Sequence, residues 1–261
     1  MESVLQFSAE QYFTFFLVVL RVSGMFVTAP ILSSASVPRQ LRVYMALMVS
    51  MILFAAVPLG NIYGNWTVAG FLSIALAETM VGLMLGIVPR VIFAAVDFSG
   101  TIIGYQMGLS LANVMDPQTE VQVSIISSFK GLLATLLFVT IDGHHIFFEV
   151  LGTTYEQIPI GGFSFAANKI DYLLQLGALV ITLGVKIGAP LIVSLLLANI
   201  ILGFMARAMP QMNIFVVGVP LTILLGFLLL FTGMPYMMTG MQRAFDGMGK
   251  QVLELIGIMA H

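Results

Sequence analysis

The side chains able to do chemistry in this sequence are few, and most of them interrupt apolar stretches: Arg21, Glu78, Arg90, Asp97, Lys186 and Arg207. At the centre of a helix in lipid each such charge costs about 2.5–3.5 kcal/mol on insertion scales, so each needs a counter-charge, a polar neighbour or water. Two uses meet that need. The charges make contacts with other subunits or line a polar conduit, or they snorkel to the membrane surface from near helix ends, as Arg21 and Arg207 could. An intramembrane acid can also couple solute or proton flux, and Glu78 or Asp97 would do so in a small-solute or ion transporter. Glu78 has no histidine or second acid beside it, however. It heads a stripe with Gly82 and Gly86 at four-residue spacing, which favours helix packing around a polar partner. Arg90 and Asp97 share a helix face but lie about 10 Å apart by helical rise, too far to pair directly.

Enzymatic constellations are absent from the sequence. His145 and Glu149 are one helical turn apart, as some metal ligands are, and His144 precedes them. Two ligands do not close a site, HHIFFE lacks the HExxH order, and the remaining histidine is His261. The stretch IDGHHIFFEV reads better as an interfacial polar cap, so no metal and no cofactor are expected. Without a GxxxxGK[ST] loop, nucleotide hydrolysis by that means is excluded.

The elements that must position these residues are membrane helices. Apolar residues make up 59% of the 261 and charged residues 8%, with mean hydropathy +1.06, whereas soluble domains are about 25% charged. Absence of cysteine excludes disulfides and thiolate metal sites, and a net charge of -2 argues against nucleic acid as a partner. Glu2 and Glu10, with no early Lys or Arg, do not make a cleavable signal peptide, so the mature chain is expected to start at Met1. About six hydrophobic helical regions are predicted: Tyr12–Leu32, Leu41–Val57, Val68–Ala95, Ile125–Ile141, Leu173–Ala206 and Ile214–Phe231. The fifth could reach about 50 Å against a hydrocarbon thickness of about 30 Å. Pro190 with Lys186, and Pro89 in the third run, predict kinks or breaks. Alternate crossing puts Arg39, Arg42, Arg90, Lys130 and Arg207 on one side and Lys169, Arg243 and Lys250 on the other, a weak orientation bias. Asp142–Asp171 is the longest polar connection and is expected to face solvent.

One segment breaks the pattern. Gly100 to Gln122, GTIIGYQMGLSLANVMDPQTEVQ, is too rich in glycine and uncharged polar groups for a lipid-facing span. Gly100, Gly104 and Gly108 form a side-chain-free stripe where another backbone can approach, and the stripe leads into Asn113, Asp116 and Pro117. Irregular backbone at membrane depth needs protein or a water-filled cavity beside it. Most of the 18 methionines are apolar filling, but Met107 and Met115 flank this polar stretch, where a flexible side chain can seal and repack.

The segment Arg207–Pro220, RAMPQMNIFVVGVP, resembles the FliR family, flagellar relatives of the type III secretion export-apparatus proteins. Agreement runs in order along essentially the whole chain: Arg21, Gly24 and Pro30; Pro38 and Arg42; Glu78, Gly82 and Gly86; Gly104, Gln106 and Gly108; Asp116 and Pro117; His144 and His145. The resemblance implies a non-enzymatic, all-α membrane-complex subunit of the flagellar export gate, in the bacterial inner membrane at the basal body. Its implied partners are FliP, FliQ and FlhB, with unfolded flagellar proteins as cargo and lipid around it. A single domain over 1–261 would comprise a FliP-like portion, 1–171, and a FliQ-like hairpin of long kinked helices, 172–261. By the same resemblance Gln106, Met107, Gly108, Leu109, Ser110, Leu111, Ala112, Asn113, Val114, Met115, Asp116 and Pro117, continuing toward Gln122, form a plug loop of the export pore. The chemistry of these residues suits a movable closure. Met107, Leu109, Leu111 and Met115 exclude water, and the Asp116–Pro117 turn with Asn113 holds a loop without a permanent apolar anchor.

Overall fold

In hydrocarbon the helix satisfies every backbone donor and acceptor within its own segment, and the apolar runs of this chain take that solution. The computed structural model describes residues 9–34, 37–56, 67–109, 124–163, 167–209 and 214–260. Among them are the helices α1 (Ala9–Thr28), α2 (Arg39–Ala56), α3 (Val68–Gln106), α4 (Ile125–Thr140), α5 (His145–Gln157), α6 (Ala167–Ala208), α7 (Ile214–Asp246) and α8 (Met248–Ala260). Five stretches are long and apolar enough to cross a membrane: α1, α2, α3, α6, and α7 with α8. The bent pair α4 and α5 makes a sixth if it counts as one span.

Neither Pro89 nor Pro190 ends its helix. The 39 residues of α3 run through Pro89 and the 42 of α6 through Pro190. At 1.5 Å per residue these helices are about 58 and about 63 Å long, roughly twice the hydrocarbon thickness. The third run thus continues past Ala95 to take in Asp97, Gly100 and Gly104.

The chain forms two compact units and passes between them after Arg90, Ile141, Gln175 and Asp246. Each unit therefore draws on both 1–171 and 172–261. In the first unit α1 buries Leu17, Val18, Val22 and Met25, and the first half of α3 buries Val81, Leu85 and Val88. Their crossing is tight enough that backbone meets backbone. A methyl group on Gly82 would fall on the Arg21 carbonyl, and one on Gly24 would lie 2.7 Å from the Thr79 carbonyl oxygen. Thr28 Oγ1 donates across the same crossing to the Leu83 carbonyl at 3.0 Å.

The connection 142–171, expected to face solvent, is exposed on one side only. It contains α5, which buries Phe147, Val150, Leu151 and Tyr155 and packs against α8. In turn α8 buries Met248, Val252, Leu255, Ile256 and Met259. Lys169 Nζ donates to the Met259 carbonyl at 3.1 Å, a cation at a helix C-terminus, and Tyr172 donates its hydroxyl to the Gln251 carbonyl at 2.9 Å.

The second unit holds an aromatic triangle, Phe93, Phe138 and Phe245, with ring centroids 5.3–5.7 Å apart. Leu197, Ile201 and Phe204 on α6 and Leu224, Leu228 and Phe231 on α7 are exposed, as suits lipid or other protein.

Gly82→Ala is expected to lower the thermal midpoint of the detergent-purified chain by the equivalent of about 1–3 kcal/mol, an overpacking loss against backbone. The same change at Gly131, where the added methyl has nothing within 4 Å, leaves the midpoint unchanged or raises it. Equal behaviour of the two variants, followed by size-exclusion after heating, would contradict the tight crossing.

Candidate functional site

Glu78 finds its polar partner inside the chain. Both side chains of the Arg21–Glu78 pair are 0% exposed, with Arg21 Nε donating to Glu78 Oε2 at 2.6 Å and Nη2 to Oε1 at 3.0 Å. The same Nη2 donates to the Ile158 carbonyl at 3.1 Å, and the Gly161 N–H donates to Glu78 Oε1 at 3.0 Å. Gly161 has φ +78, a left-handed conformation that favours glycine. The Arg21 guanidinium carbon sits 4.1 Å from the Tyr155 ring centroid, a cation–π contact. One pair of charges thus ties α1, α3 and the turn after α5 together. Arg21, among the residues expected at subunit contacts, is wholly enclosed by its own chain because the Gly82 crossing carries it beside Glu78.

In the second unit the glycine stripe meets α4. A Cβ on Gly100 would lie 2.5 Å from the Ser127 Cα, and one on Gly104 would fall on Ser124 Oγ. Ser124 caps α4, with its backbone extended (φ -62, ψ 125) and its hydroxyl accepting from the Ser127 N–H. Beside the stripe, Asp97 accepts from Ser127 Oγ, and the buried Lys130 donates its ammonium to Ser99 Oγ.

Gly108 plays a different part from Gly100 and Gly104. It has φ +81, its N–H donates to the Tyr105 carbonyl at 3.0 Å, and the Leu109 N–H donates to the Gly104 carbonyl at 3.2 Å. That pair of bonds is a Schellman motif, and it stops α3 at Gln106. Two other helices then hold the stopped end. Asn199 Nδ2 of α6 donates to the Gln106 carbonyl at 3.1 Å, and Thr222 Oγ1 of α7 donates to the Met107 carbonyl at 3.0 Å. The Met107 side chain is fully buried against Gly226, where an added Cβ would lie 2.5 Å from its Cγ. A cleft of about 350 Å³ opens beside this end, lined in part by Tyr105, Gln106, Gly203 and Gly218.

Of the expected plug, Gln106, Met107, Gly108 and Leu109 are seen. Ser110, Leu111, Ala112, Asn113, Val114, Met115, Asp116 and Pro117 lie outside the described residues. Arg90, Asp97, Lys186 and Arg207 are exposed on the chain's surface. Sequence reasoning missed Tyr155 and Gly161 around Arg21, and Asn199 and Thr222 around the end of α3. The available signal for the second pair was a polar residue inside an otherwise apolar run.

Long helices, internal charges satisfied by other helices and glycine-mediated crossings define an integral membrane protein of several spans. Residues 12–248 match the profile described as Bacterial export proteins, family 1. The chain is 35% identical over 238 residues to the flagellar biosynthetic protein FliR of Escherichia coli (strain K12), covering 89% of this chain and 90% of that one. It is 31% identical over 254 residues to the protein of the same name from Bacillus subtilis (strain 168), covering 94% and 96%. Against that of Aquifex aeolicus (strain VF5) the identity is 29% over 239 residues, 92% of each chain. The chain belongs to the FliR family of bacterial export proteins, non-enzymatic membrane proteins of the flagellar export apparatus.

Glu78→Gln strands a buried guanidinium and is expected to destabilise the chain by about 3–5 kcal/mol, seen as a lower thermal midpoint and folded yield. The double variant Arg21→Met/Glu78→Leu, which removes both charges, should lose less than Glu78→Gln alone. A double variant that loses the sum of its two single changes would show the pair to be uncoupled.

Proposed function

We propose that the chain is a subunit of the flagellar protein export gate, in the bacterial inner membrane at the basal body. It assembles there with FliP and FliQ and is contacted by FlhB. Residues Gln106–Pro117 act as a plug that closes the entrance channel to unfolded flagellar proteins. Family membership over residues 12–248 supports the export role. The observation that carries the plug is the fastening of its root: the Gln106 and Met107 carbonyls are held by Asn199 and Thr222, and α4 restarts with Ser124 against Gly104. A closure that must move aside for cargo and return needs such a fixed base.

On this reading α6 and α7 are the FliQ-like hairpin within 172–261, and the preceding 1–171 is the FliP-like portion. Arg90, Asp97, Lys186 and Arg207, exposed on this chain, meet polar groups of neighbouring subunits. The driving force comes from other components. Coupling of solute flux through an acid finds little support: Glu78 is fully buried and accepts from Arg21 Nε, Arg21 Nη2 and the Gly161 N–H, while Asp97 accepts from Ser127.

Deleting residues 110–114 is expected to leave co-purification with FliP and FliQ intact and to raise leakage of ions and small molecules through the assembled complex several-fold. Unchanged leakage through an intact complex overturns the plug. A wild-type chain that purifies without FliP and FliQ, yet shows saturable solute flux, overturns the gate itself.

A further inference from the structure

The turn into α5 brings together donor atoms that the export reading does not use. Asp142, His144 and His145 each offer one ligand atom, and these atoms lie within 4.8 Å of one another. Asp142 Oδ1 is 3.8 Å from His145 Nδ1, and the two imidazole rings have centroids 4.4 Å apart, tilted by 33°. In sequence His145 has Glu149 as its helical neighbour, which leaves a site at two ligands. The fold supplies a different set. His144 precedes the first residue of α5, Asp142 has φ +56, and the turn between them holds their ligand atoms close to that of His145.

We propose that Asp142, His144 and His145 form a binding site for a divalent transition-metal ion of the zinc class. Two imidazoles and a carboxylate are the nitrogen and oxygen donors that Zn²⁺ and Co²⁺ accept, and a fourth position stays open to water. Tetrahedral zinc with ligand bonds of about 2.0–2.2 Å needs donor atoms roughly 3.3–3.6 Å apart. The required contraction is at most about 1.5 Å and is within reach of side-chain rotation, because Asp142 and His145 are 68% and 69% exposed. His144 is half-buried, so the two exposed side chains close onto it with no packed neighbour of their own to displace. One carboxylate against a divalent ion leaves a net positive centre, and two neutral imidazoles are required, so metal and protons compete for the site. A bound ion would fix the turn to the first residue of α5.

The test uses the full chain without an affinity tag of histidines, in detergent, titrated with Co²⁺ alone and followed by its visible d–d absorption, then displaced with Zn²⁺. One Co²⁺ per chain is expected, with each of Asp142→Ala, His144→Ala and His145→Ala weakening binding at least tenfold. Size-exclusion profiles of the Asp142→Ala and His145→Ala variants should match the parent, since both side chains are largely exposed. His261→Ala should bind as the parent does. Absence of the absorption, binding that survives the triple variant, or loss of binding in His261→Ala would each overturn the site.

Discussion

Arg21 and Glu78 are both fully buried, and either charge left without the other would cost about 3–5 kcal/mol. Lipid tails and leucine side chains are equally apolar, so the burial of one helix face against another does little to choose partners, and polar contacts and close packing choose instead. The Arg21 guanidinium has Glu78, the Ile158 carbonyl and the Tyr155 ring around it, and its Nη1 is buried with no hydrogen-bond partner among the described residues. A bidentate fork also fixes orientation as well as distance, which a point charge would not. The α1–α3 crossing follows from it. Both helices must approach until backbones touch, which is why Gly24 and Gly82 stand where they do, and the turn at Gly161 comes in to donate to a further carboxylate lone pair.

The second unit obeys the same rule with weaker groups. Asp97 with Ser127 and Lys130 with Ser99 set α4 along the Gly100 and Gly104 face of α3. Gly184 of α6 packs on the Ala95 carbonyl, and Gly226 of α7 packs on Met107. These three helices each meet α3 at a small residue or through a side-chain hydrogen bond. Their outer faces, Phe204 and Phe231 among them, remain apolar and exposed.

Much of this was legible in the sequence, because charge and glycine are conspicuous in an apolar chain. The six apolar regions, the overlong fifth and the need of Glu78 for a polar partner could all be read. That the partner is Arg21 could not: 57 residues separate the two, and hydrophobic periodicity does not set the register of one membrane helix on another. The burial of α5 had a signal that its polar flanks obscured. Phe147, Val150, Leu151 and Tyr155 recur at helical spacing, as do Val252, Leu255, Ile256 and Met259 of α8. Gly108 was harder. Its spacing from Gly104 continues the packing stripe, and only the bonds from the Gly108 and Leu109 N–H groups show that the helix has already ended.

That ending bears on how a plug could work. Gly108 separates a held helix from the chain that follows, so movement beyond Leu109 does not have to bend α3. Each hydrogen bond from Asn199 and Thr222 contributes about 0.5–1.5 kcal/mol, and leaving a buried carbonyl unmet costs more, so the end of α3 is held in place. Ser124, the N-cap of α4, lies against Gly104. Leu109 and Ser124 thus both meet Gly104, the first through its N–H on the Gly104 carbonyl and the second through its side chain.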